Sequence, residues 1–115
     1  MIFNSNKQQV YIYRYPVDMR KGHDGLCAIV DNELKIDFTC GAIFLFVNKS
    51  RRLCKCLYFD GTGLVIIHKR IESGSFMNFS SFDEVQSISM SELALIFEGA
   101  RLRLPLSPKR MKIYR

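Results

Sequence analysis

The sequence is short of almost everything that marks a disordered, fibrous or membrane-spanning chain. Three prolines and seven glycines in 115 residues are too few for a low-complexity chain, and 48% hydrophobic residues is enough to fill a core. The longest uninterrupted apolar run is Ala42 to Val47, far below the roughly 20 residues that cross a bilayer as a helix. The start turns polar at Asn4 and lacks the apolar stretch of a secretory leader, so a cytoplasmic protein with no membrane partner is expected. A chain of 115 residues has room for one core. The expected organisation is a single domain over residues 1–106 and a basic, mobile tail over 107–115.

Reactive side chains are also scarce. Cys27, Cys40, Cys54 and Cys56 are expected to be free thiols in a reducing compartment, and Cys54 and Cys56 alternate with Lys55 as core residues of a strand do. A zinc site would need Cys40 and His68 as further ligands, and C-x-C is tighter than the usual ligand pair. His23 and His68 have no nucleophile placed beside them by any local motif. Asp60-Gly61-Thr62-Gly63 lacks the Lys and the following helix of a phosphate loop and reads as a hairpin turn. Asp18, Asp24 and Asp60 are the carboxylates a metal-dependent nuclease would use, but caps and turns account for all three. No metal, no cofactor and no catalysis are expected.

Acid is missing from one region altogether. Residues 1–100 contain eleven Lys/Arg and eleven Asp/Glu, while residues 101–115 contain Arg101, Arg103, Lys109, Arg110, Lys112 and Arg115 and no acid. The whole net charge of +6 therefore sits at the end of the chain, a placement that attracts polyanions. A second basic run comprises Lys49, Arg51, Arg52 and Lys55, followed by Lys69 and Arg70, and between residues 49 and 70 the single acid is Asp60. Such clusters hold phosphates without sequence preference, and an aromatic such as Tyr58 could stack on bases if it faced solvent.

The hydrophobic pattern predicts a first strand over Gln9 to Tyr15, closed by Pro16. Met19, Gly22, Leu26, Ile29, Val30 and Leu34 then follow a helical period, with Asp18 placed as the cap. Gly22 and Gly25 imply either a close backbone neighbour or a later helix start. Ala42 to Asn48, Leu53 to Phe59 and Leu64 to Arg70 predict an antiparallel meander joined by short turns. Phe76, Phe79 and Phe82 are expected on extended pieces lying across the sheet, with a further strand at Val85 to Ile88. Ser89-Met90-Ser91-Glu92 has the spacing of a capping box, and Gly99 ends the short helix it opens.

Four ordered blocks carry a family resemblance: Asp18-Met19-Arg20-Lys21-Gly22-His23-Asp24-Gly25-Leu26, Gly41 to Phe46, Leu57-Tyr58-Phe59-Asp60-Gly61-Thr62-Gly63, and Lys69-Arg70-Ile71-Glu72-Ser73-Gly74-Ser75-Phe76. Over about residues 9–79 the chain resembles the small TnpB accessory protein of bacterial insertion sequence 66 family elements. It departs from the family pattern in having no tryptophan: Phe59 stands in the block where relatives usually carry Trp, and Phe76-Met77-Asn78-Phe79 where they have Trp-Pro. The resemblance implies a role in transposition beside a separate, larger transposase that carries the catalytic acids.

Taken with the residues, this predicts an α+β fold, with a curved, mainly antiparallel sheet, one longer helix after the first strand and a short helix near the end. The expected function is non-enzymatic assistance to transposition, by binding element-end DNA, the transposase of the same element, or both. The alternative is an interaction module whose cations meet an acidic partner surface.

Overall fold

The computed structural model describes residues 8–100. The expected tail over 107–115 and the six cations of residues 101–115 lie outside the described residues. Five strands form one open sheet in the order β4-β3-β2-β1-β5, with β1 Val10–Ile12, β2 Ile43–Val47, β3 Leu53–Phe59, β4 Leu64–Arg70 and β5 Gln86–Ile88. The predicted meander is present as β2, β3 and β4, all antiparallel. Its turns follow from the side chains between the strands. Asn48 Oδ1 accepts from the backbone N–H groups of Arg52 and Leu53. Asp60 Oδ1 likewise accepts from those of Thr62 and Gly63, with Gly61 at a φ of +102°.

The first strand is shorter than expected and runs parallel to β2. A parallel neighbour requires a crossover, and the helical region supplies it by covering one sheet face. Helix α1 spans His23–Ile29 and continues as a π-helical turn over Val30–Leu34, which Lys35 ends in the left-handed conformation. The cap expected at Asp18 is not there. Gly22 is the N-cap and provides no side-chain bond, so the later start is the correct reading of the two glycines. Asp18 instead closes its own turn, accepting from the Arg20 backbone N–H at 2.9 Å.

Alternation along the strands sorts the core into two layers. Val10, Ile12, Ile43, Leu45, Val47, Cys54, Cys56 and Tyr58 face one way, against Phe76, Phe79, Phe82, Leu93 and Ile96. Tyr13, Phe44, Phe46 and Leu57 face the other way, against Leu26, Ile29, Val30 and Leu34. Because both faces are covered, every residue of β2 is buried. The three phenylalanines lie in irregular chain and not in strands, but their rings fill the first layer as expected. Helix α2, Met90–Phe97, carries both halves of the predicted capping box. It ends with Gly99 N–H on Ile96 O and Ala100 N–H on Leu95 O, which meets the helix's last free carbonyls.

Candidate nucleic-acid interface

The strand directions bring one end of the sheet together. With β1 parallel to β2 and the next two pairings antiparallel, the C-terminal ends of β1, β2 and β4 share an edge with the N-terminus of β3. Arg14, Lys49, Arg51, Arg52, Lys69 and Arg70 all stand at that end. Lys49 and Arg52 are exposed, and Arg51 is half-buried. Arg51 takes a φ of +61°, a conformation in which an L side chain is rarely found and glycine is cheaper.

Not every expected cation belongs to this surface. Lys55 was read as part of the basic run, but it is only 8% exposed, and its Nζ donates to the carbonyls of Met19 and Lys21 at 2.8 Å each. The physical reason is its phase on β3, where it shares a face with buried Leu57 and not with solvent. Lys69 Nζ donates to Phe97 O at 2.7 Å, completing the C-terminus of α2, and also lies over the Phe97 ring. Arg70 makes an exposed pair with Glu72. Tyr58 is 5% exposed and has no face open for a base. Arg101, Arg103, Lys109, Arg110, Lys112 and Arg115 lie outside the described residues.

Arg14 was not among the residues singled out in the sequence. One guanidinium nitrogen donates to Phe82 O at 2.8 Å and another to the Tyr15 hydroxyl at 2.9 Å, while the group sits over the Tyr15 ring. Tyr15 also meets Tyr13 edge to face. Tyr13 is buried, and its hydroxyl donates to Glu33 at 2.5 Å; burial, then that bond, raises its pKa. The available signal was alternation, which puts Arg14 in phase with Val10 and Ile12.

The family-motif loop before α1 displays Arg20 and Lys21 on the surface. Arg20 binds the Asp18 carboxylate in a forked contact, and its side-chain bonds, followed by its backbone bond, hold the Asp18 pKa down to about 2. Since the folded value lies below the ordinary 3.8, whatever this contact adds to stability is present above that pH and lost as pH falls toward 2. Arg20→Ala is expected to raise the Asp18 midpoint in a carboxyl NMR titration toward 3.8. An unmoved midpoint would contradict the contact.

The carboxylates do not form a metal site. Asp18 follows Val17, whose N–H bonds Val47 O at the basic end, whereas Asp60 lies beyond β3 at the opposite end. Asp24 is exposed in the first turn of α1. Among the described residues no three of His, Cys, Asp and Glu come together. Cys54 and Cys56 are core thiols whose burial raises their pKa, that of Cys54 to about 12. Of the remaining motif glycines, Gly74 has a φ of +77°, while Gly63 and Gly22 have open space where a Cβ would be.

Residues 8–106 match the family described as IS66 Orf2 like protein. The chain is 35% identical over 99 residues to the uncharacterized protein y4jC of Sinorhizobium fredii, covering 86% of this chain and 85% of that one. It is 30% identical over 105 residues to a second uncharacterized protein of that organism, y4hO, covering 91% of each. No solved structure matches. Among the described residues no helix is long and apolar enough to cross a membrane.

Proposed function

The chain belongs to the IS66 Orf2-like family, a family of transposition-associated accessory proteins, and from that premise we propose that it assists transposition by binding DNA without catalysing a step itself. The observation that carries this reading is the convergence of Arg14, Lys49, Arg51 and Arg52 at one end of the sheet. Residues 1–100 balance in charge, so this convergence is a local arrangement of cations and not a consequence of composition. The six cations of residues 101–115 supply a second, sequence-independent hold on phosphate. Association with the transposase of the same element follows from the division of labour in such elements, in which the catalytic acids belong to the larger protein.

Gel shifts with element-end DNA, with and without that transposase, test the proposal. If all six cations of residues 101–115 meet phosphates, the slope of log K against log salt that they contribute is roughly −5 on duplex DNA. Deleting residues 107–115 removes Lys109, Arg110, Lys112 and Arg115, and is expected to weaken binding and make the slope shallower with little change in melting temperature. Unchanged DNA affinity after the deletion, together with lost capture of the transposase, would replace this reading with that of a module for an acidic partner surface.

A further inference from the structure

Next to the basic turn lies a groove of about 230 Å³, with Tyr13, Arg14 and Tyr15 on one side, Lys49 and Arg51 on another, and the irregular chain at Met77 to Ser80 as the third. A volume of that size suits one planar group and not a duplex. We propose that it takes one unpaired nucleotide of a DNA end, with the base against Tyr15 and its phosphate at Lys49 and Arg51. The proposal rests on the DNA-binding reading and narrows it to single-stranded DNA.

Three observations support this. The first is Tyr15, a large aromatic with 46% of its surface open beside a concave site. The Arg14 guanidinium lies over the ring and Tyr13 meets it in a T-shaped contact, so the ring is already held and little freedom is lost when a base stacks on its open surface. The second is Arg51. A glycine would fit its φ of +61° at lower cost, yet an arginine stands there and lines the groove, one guanidinium nitrogen 3.4 Å from Phe76 O. The third is Arg14. It is held by Phe82 O and the Tyr15 hydroxyl, yet its Nε is buried and has no hydrogen-bond partner among the described residues. Asp83 and Glu84 act on Arg14 from the segment before β5, while Lys49 and Arg51 line the groove and are the cations assigned to the phosphate. The shallower surface beyond Pro16 and Lys49 leads on toward Asp18 and Met19 and gives the strand a path out.

The test uses the full chain with three probes: a blunt duplex, the same duplex with a short overhang, and an oligothymidylate of about ten nucleotides. Affinity is read by fluorescence polarisation. The overhang and the oligothymidylate are expected to bind more tightly than the blunt duplex. Tyr15→Leu should weaken single-strand binding by about tenfold, the scale of one base stack, and Tyr15→Trp should restore it. Arg51→Gly should lower the single-strand salt slope by about 0.7, the share of one phosphate contact. Its melting temperature should hold or rise, because glycine relieves the positive φ, so a binding loss cannot be ascribed to unfolding. If wild type, Tyr15→Leu and Arg51→Gly bind all three probes alike, the groove inference fails while DNA binding stands. If wild type binds none of them, both fail. Competition by polyglutamate equal to that by oligothymidylate of the same charge would also overturn the inference, in favour of an acidic peptide.

Discussion

Replacing Lys55 by Met is expected to cost about 2 to 3 kcal/mol of stability, the scale of hydrogen bonds from a charged donor, because two loop carbonyls lose their partner. For a domain of this size that corresponds to a fall in melting temperature of about 10 to 20 °C. Lys55 is buried on the sheet face under α1, and its ammonium holds the Met19 and Lys21 carbonyls at 2.8 Å. Methionine keeps most of the packing and removes only the donor. The variant therefore isolates the bonds that tie the motif loop over residues 18–22 to β3. Amide hydrogens of that loop should exchange faster in the variant, while those of β2 change only with global stability. A phosphate-contacting Lys55 predicts the reverse, a stable variant with weaker DNA binding and a shallower salt slope. Denaturation and binding measured on the same sample decide between them, and a loss below about 1 kcal/mol would reject the buried-tether account.

The case of Lys55 also shows where sequence reasoning stops. In Leu53-Cys54-Lys55-Cys56-Leu57-Tyr58-Phe59, alternation alone puts Lys55 in phase with three apolar residues. What reconciles the charge with burial is a pair of carbonyls more than thirty residues away, which no local pattern announces. Asp18 was misplaced for a related reason. Asp suits both a helix cap and an Asx turn, and the two differ only in where the following residues turn helical. The parallel pairing of β1 with β2 depends on a crossover, again non-local. By contrast, Ser89 and Glu92 are three residues apart and satisfy each other's backbone groups, so that helix was legible from four residues. The turns at Asn48 and Asp60 were legible for the same reason. The groove was not, because Tyr15, Arg51 and Phe79 meet only through the sheet order and an irregular segment.

That irregular segment depends on one buried ring. Phe76→Ala is expected to destabilise the protein by about 3 to 5 kcal/mol, the cost of deleting a fully buried aromatic ring and leaving its cavity. The Phe76 ring has no exposed surface and sits in the layer with Ile12, Leu45 and Cys54. Its backbone N–H donates to Arg51 O at 2.6 Å, and Arg51 in turn reaches the Phe76 carbonyl at 3.4 Å. The ring thus anchors a stretch with no helix or strand of its own between Ile71 and Val85, and its backbone positions the basic turn. With total stabilities of about 5 to 15 kcal/mol typical of such domains, the alanine variant should be largely unfolded at 37 °C. Phe76→Leu retains most of the apolar contact and should remain folded, at a smaller cost. In that variant the groove wall at Met77 and Phe79 is loosened while Tyr15 and Lys49 are untouched, so single-strand binding should fall more than duplex binding. Chemical denaturation of both variants, with binding measured on the folded one, is the check. An alanine variant as stable as wild type would mean that the core does not depend on this ring.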